Sequence, residues 1–170
     1  PRDRARRAPG TWIVEGFAMP YEIEPFADYT PDLLLENFDL LGEWEERYRY
    51  LIDLGKKLPP LPESAKVEEN RVDGCQSNVW MTFELAETGG SPRLRFEADS
   101  DAHIVRGLIA VLMICYNNQT LDMIDRYDIR GFFSRLGLDR HLSPTRSNGF
   151  YSMVERIRTM ARQDNAQRHR

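Results

Sequence analysis

The chain is short of the residues from which most metal and nucleophile sites are built. It has only two cysteines, Cys75 and Cys115, and its three histidines lie far apart. That excludes a cysteine-rich zinc site. A single disulfide is conceivable, but the apolar setting of Cys115 favours free thiols in a reducing compartment. A glycine-rich phosphate loop is missing, as is a dinucleotide-binding fingerprint. No stretch approaches the roughly 18–20 continuous apolar residues that span a bilayer. The longest apolar run, Leu108 to Tyr116, reads as a buried helix. Positive charge is not in excess either: a formal net charge of −4 argues against a broadly nucleic-acid-binding surface.

What is present suits an ordinary globular protein. With 170 residues, 41% of them hydrophobic and 29% charged, the chain can bury a core without a disulfide or a structural metal. Residues 1–31 read as a partly irregular N-terminal extension punctuated by Pro9, Pro20, Pro25 and Pro31. Residues 32–162 read as one folded domain, and residues 163–170 as a polar C-terminal tail. The first ten residues carry Arg2, Arg4, Arg6 and Arg7 against Asp3. Such a start is either a basic tail or the remnant of a transit peptide. The expected localisation is therefore cytoplasmic, with a plastid as the alternative.

Hydrophobic periodicity places the elements. A helix is expected from Asp32 to about Phe38, with Pro31 at its start. A second follows, in which Leu41, Trp44, Tyr48, Leu51 and Ile52 recur at helical spacing until Gly55 stops it. Pro59, Pro60 and Pro62 then bar regular structure. Val79, Met81, Phe83 and Leu85 alternate with polar neighbours, and so do Leu94, Phe96 and Ala98, across a turn from Thr88 to Pro92. That is an antiparallel hairpin. A short strand near Arg71 and Val72 is expected to pair across the turn that holds Cys75. Ser100 and Asp101 offer a helix start, and the helix from Ala102 to about Tyr116 is apolar almost all round, so it is the expected centre of the fold. Gly107 inside it points to close packing. Helices over Leu121–Tyr127 and Ile129–Leu136 follow, and Ser143-Pro144 opens the last one. The expected fold class is α+β: a small antiparallel sheet of about three strands packed against several helices.

The most informative segment is Asn70-Arg71-Val72-Asp73-Gly74-Cys75-Gln76-Ser77. Gly74 can take a positive φ and turn the chain so that Cys75 is presented outward. Backbone N–H groups of such a turn, with Arg71 nearby, are expected to favour the thiolate, the form that sulfur exchange requires. Against this stands the general tendency of free cysteine to be buried as a small apolar residue. Cys115 fits that second description inside Leu112-Met113-Ile114-Cys115-Tyr116. A cysteine hydrolase using Cys75 with His103 or His141 is a further possibility, although no local protease signature accompanies the cysteine. Arg146, near a helix start, suits an anion or a partner carboxylate, or else a surface salt bridge.

These residues also resemble a known family. Val72-Asp73-Gly74-Cys75-Gln76-Ser77-Asn78-Val79-Trp80 is similar to the signature of SufE proteins, a group that includes CsdE. Three more blocks agree in order: Trp44 to Gly55, Asp99 to Ala110 and His141 to Gly149. The resemblance covers roughly residues 32–161. It implies a compact α+β domain similar to the IscU scaffold. It further implies a protein that accepts sulfur from a SufS-type or CsdA-type cysteine desulfurase, stimulates that enzyme and passes sulfur to a SufBCD-type scaffold or another acceptor. By position Cys75 carries the persulfide, Gly74 and Gln76 position the loop, and Asp101 and Arg146 face the desulfurase. No cofactor or metal of its own is implied, since the pyridoxal phosphate belongs to the partner enzyme. Neither a nucleic acid nor a membrane is an expected partner. An iron–sulfur scaffold is the main alternative from a different class, although it calls for several converging thiolates. The first thirty or so residues precede the point where typical members begin, and the family assigns Cys115 no role.

Overall fold

The computed structural model describes residues 25–88 and 90–169. Most of the expected N-terminal extension lies outside the described residues. Its last part packs: Phe26 is buried and meets Tyr29 edge to face.

Helix α1, Pro31–Leu40, begins where Thr30 Oγ1 accepts from Leu33 N–H and Pro31 needs no donor partner. Its buried face is Leu34, Leu35 and Phe38. Helix α2, Trp44–Lys56, opens with a capping box between Glu43 and Glu46. It buries Leu51, Leu54 and Gly55. Gly55, expected to stop the helix, instead lies within its last turn. The reason is tertiary: α2 crosses α3, His103–Tyr116, at a glycine on each helix. A Cβ at Gly55 would sit 2.6 Å from Gly107 N, and one at Gly107 would run into the Leu51 carbonyl. The two glycines let the helix backbones touch. Arg106 secures the crossing by donating to Gly55 O in the last turn of α2 and to Leu58 O just beyond it, and by pairing with buried Asp99.

The prolines after α2 allow two short 3-10 turns, Glu63–Ala65 and Glu68–Asn70. Strands β1, Val79–Thr88, and β2, Ser91–Ser100, form the hairpin, antiparallel with Phe83 opposite Phe96. Val79, Met81 and Phe83 on one strand and Leu94, Phe96 and Ala98 on the other are buried on one face of the hairpin, and α3 packs against β2. Among the described residues the sheet has three strands in the order β1-β2-β3, but the third is not the segment expected from sequence. Strand β3 is Gln119–Thr120, set against Arg93 and Leu94 of β2. The Arg71–Val72 segment makes a single bridge, Arg71 to Trp80, with Val72 N–H bonded to Val79 O at 2.9 Å.

Helix α3 is buried from Ile104 to Tyr116 except at half-buried Arg106. Ser100 ends β2 rather than starting the helix; its hydroxyl accepts from the N–H of Ala102, the residue that precedes the first turn. Helices α4, Leu121–Arg126, and α5, Ile129–Arg135, are each capped by a side-chain oxygen, from Thr120 and Asp128. Gly137, at φ 77°, leads into a short helix the sequence did not announce, α6, Leu138–His141. Helix α7, Pro144–Arg168, starts at Ser143, whose Oγ accepts from Arg146 N–H at 3.3 Å. Its polar residues after Arg162 continue the helix. Phe150, Met153, Val154 and Ile157 bury its first half.

Candidate functional site

The loop from Asp73 to Asn78 leaves the Arg71 bridge and returns into β1. Its stem is closed twice. Val72 and Val79 share the backbone bond just described. Asp101 then grips Asn78, its carboxylate accepting from the Asn78 backbone N–H at 3.1 Å and the side-chain amide at 3.0 Å. Asp101 is thus a clamp on the base of the loop. Asp101 is itself exposed.

Gly74 turns the loop at φ 87°, as its residue type suggested. The turn lies against α7: a Cβ on Gly74 would come within 2.5 Å of Ser152 Oγ. Cys75 follows, half-buried, and points down onto the helix instead of out to solvent. Its Sγ is 3.5 Å from the carbonyl oxygen of Gly149. A Cβ at position 149 would stand in ordinary contact with that sulfur, at 3.5 Å, so glycine leaves a little space beside it.

The sulfur opens into a small recess of about 70 Å³. Val105 and Leu108 of α3 and Phe150 and Met153 of α7 make its apolar floor, and Gln76, Thr145 and Arg146 line its rim. One water needs roughly 10–15 Å³ of such volume, so a further sulfur atom on Cys75 fits. Gly74 and Gln76 are exposed on either side of Cys75, as a tight loop tip requires.

The expected thiolate is not the resting form. Burial pushes the Cys75 thiol above its ordinary value; Arg71 pulls it down less strongly, and Asp73 adds to the rise. Arg71 spends part of its charge on Glu68, 3.8 Å away. The contact with Gly149 O agrees in direction, because a thiol can donate to a carbonyl oxygen and a thiolate cannot. Turn context alone could not reveal this, since the carbonyl comes from a helix far along the chain.

The rival chemistries find no support here. Among the described residues no histidine lines the recess. His141 is stacked flat on Trp44, and His103 is exposed at the first turn of α3. Among the described residues no three His, Cys, Asp or Glu side chains converge as a metal site. Cys115 is buried in α3 beside the Tyr127 hydroxyl, and burial raises its thiol to about 12, which makes it a core residue. Sequence reasoning missed Gly149 as the partner of the sulfur, and Tyr48, whose hydroxyl meets Arg146 at 3.2 Å. Both belong to blocks of the resemblance, but only their position in space gives them a part.

Comparison with known proteins gives the family and the fold. The model of the SufE family, described as an Fe-S metabolism associated domain, matches residues 32–161. An uncharacterized SufE-like protein of Rhizobium meliloti is 44% identical over 130 residues, 76% of this chain and 93% of the relative. A second, from Rhizobium etli, is 45% identical over 131 residues, 77% of this chain and 88% of the relative. Among solved structures, the solution structure of a hypothetical protein from Thermus thermophilus superimposes with a TM-score of 0.61 at 23% identity. It covers 78% of this chain and 93% of its own, and supports the fold alone.

Proposed function

The chain belongs to the SufE family of Fe-S metabolism associated domains, and on that premise we propose that it is a sulfur carrier whose Cys75 takes sulfur from a cysteine desulfurase. The observation that carries this reading is the placement of Cys75. Its sulfur sits on a loop tip whose stem is closed twice, 3.5 Å from the accepting carbonyl of Gly149 and with a sulfur-sized recess beside it.

The proposed transfer balances without an outside oxidant. The donor holds a cysteine persulfide, formed with its own pyridoxal phosphate; this chain needs no cofactor. On docking, the loop lifts Sγ from Gly149 O and the thiol loses its proton to a base or water of the donor site. The Cys75 thiolate attacks the outer sulfur of the persulfide. The donor S–S bond breaks, and its electron pair leaves on the donor cysteine as thiolate. Cys75 now carries the extra sulfur, which turns back into the recess away from solvent and oxidants. An acceptor thiolate later repeats the attack on the terminal sulfur. A SufBCD-type scaffold is the proposed acceptor.

The remaining residues take supporting parts. Gly74 and Gln76 set the loop tip; Asp101 holds its stem and, with Arg146, faces the incoming enzyme. The chemistry belongs in a compartment that keeps thiols reduced, and the cytoplasm is the proposed one. The test is desulfurase turnover on cysteine with and without the protein. Turnover rises with the native chain and does not rise with Cys75→Ala, which still binds. Equal turnover in all three samples, with both SufS-type and CsdA-type enzymes, would refute the proposal.

A further inference from the structure

Residues 25–46 hold seven carboxylates and no lysine or arginine. All seven are exposed, and none is ion-paired among the described residues. This stretch contains the whole of α1 and the start of α2. A helix C-terminus favours a nearby cation, yet the last turn of α1 has no basic residue.

The same helix presents apolar surface. Three large apolar side chains are exposed among the described residues, and two of them, Leu33 and Leu40, lie on α1. Leu40 is 83% exposed. Two helical turns separate the pair, so they share one face, turned away from buried Leu34, Leu35 and Phe38. Glu36 lies between them on that face, with Asp32 and Asp39 along one side. Asn37 bounds the other side, where its amide donates to the Tyr50 hydroxyl of α2 at 2.9 Å.

An apolar stripe edged by carboxylates suits an occupant that is apolar and cationic at once. A second copy would bring the same carboxylates against these, and like charges repel. Residues 1–24, which lie outside the described residues, have the required chemistry. Arg2, Arg4, Arg6 and Arg7 stand against Asp3, and Trp12, Ile13, Val14 and Phe17 follow. This segment enters α1 directly, through buried Phe26. Helix α1 has 10 residues and is about 15 Å long. The chain from Trp12 to Pro25 reaches about 40 Å when extended. Laid back along α1, it brings Trp12 and Phe17 to the two leucines with length to spare. The arginines then fall at Asp39 and the carboxylates that open α2.

We infer that the face of α1 bearing Leu33 and Leu40 is the docking surface for residues 1–24 of the same chain. The apolar residues cover the leucines, and the arginines neutralise the carboxylates and supply the missing cation at the end of α1. The surface shares no residue with the Cys75 recess, so this docking stands apart from sulfur relay.

The test follows hydrogen exchange of the full chain by peptide mass at residues 11–19, with the free synthetic peptide of that sequence as reference. In the native chain these amides exchange about tenfold more slowly than in the peptide. Leu40→Gln and the double variant Glu36→Lys/Asp39→Lys each bring the rate to within about twofold of the peptide. Arg6→Glu/Arg7→Glu does the same. Combined with Glu36→Lys/Asp39→Lys it restores protection, because the two charges have then changed places. Thermal midpoints check the fold, and every side chain replaced on α1 is exposed. Native exchange at the free-peptide rate overturns the docking. Protection that survives both Leu40→Gln and Glu36→Lys/Asp39→Lys seats the segment elsewhere and overturns it too. A combined variant that stays unprotected overturns the charge pairing. Protection that grows with protein concentration means a seat on another copy and overturns docking within one chain.

Discussion

Cys75 Sγ and the carbonyl oxygen of Gly149 lie 3.5 Å apart, although 74 positions separate the two residues in the chain. A thiol can donate to a carbonyl and a thiolate cannot, so the contact and the half-burial of the sulfur both hold the resting cysteine protonated. In the proposed relay the nucleophile is made by opening the loop, which would tie chemistry to docking.

The first consequence is the pH dependence of Cys75 alkylation. The rate with iodoacetamide, followed at Cys75 by peptide mass, rises with an apparent midpoint above the roughly 8.5 of a free thiol. Urea-unfolded protein gives the lower, ordinary midpoint. A native midpoint at or below that of the unfolded chain would contradict a sulfur held by burial.

Gly74→Ala strains the turn. A left-handed position costs a non-glycine residue about 1–2 kcal/mol, and the new Cβ meets Ser152 Oγ as well. The loop lifts to relieve it. The protein therefore loses at least that much stability in urea titration, while Cys75 alkylates faster at neutral pH. Slower alkylation would mean that the turn does not rest on α7.

Gly107→Ala attacks the crossing of α2 and α3 far from the sulfur. Its Cβ meets the Leu51 backbone, which cannot swing away as a side chain would. The expected loss is about 3 kcal/mol or more, seen as a lowered urea midpoint. A variant as stable as the native protein would show that the helices can part freely there.

Much of this was readable in the residues, and the limits have physical causes. The alternation of Val79, Met81 and Phe83 against Leu94, Phe96 and Ala98 announced the hairpin because one face is buried. The unbroken apolar run of α3 announced the centre of the fold. Gly74-Cys75-Gln76 announced the loop, because a turn is local. Strand β3 is too short, at Gln119–Thr120, to show a period, and it forms because β2 is already there to pair with. Gly55 looked like a helix end because glycine's local preference is to end helices, whereas its use here is close contact with Gly107. The protonation of Cys75, its contact with Gly149 and the contacts of Tyr48 with Arg146 and of Trp44 with His141 depend on elements meeting in space, which no local pattern encodes.

Alkaline pH acts on a separate part of the molecule. Burial moves Cys115 from its ordinary 9.0 to about 12 and Tyr116 from 10.0 to about 12, and pushes Tyr127 up as well. Between the unfolded and folded values the native protein holds protons that the unfolded chain has released. Stability is therefore complete below about pH 9 and falls as pH rises through the folded values. Urea midpoints at pH about 8 and about 10.5 should show the decline, with a smaller one in Cys115→Ala. A midpoint that stays level across that window would place these groups in contact with water.

The most direct test of sulfur relay is the intact mass of the protein after incubation with a cysteine desulfurase, pyridoxal phosphate and cysteine. Relay through Cys75 predicts a gain of one sulfur, about 32 Da, that is removed by reductant and absent in Cys75→Ala. An unchanged mass with both SufS-type and CsdA-type enzymes, or the same gain in Cys75→Ala, would contradict it.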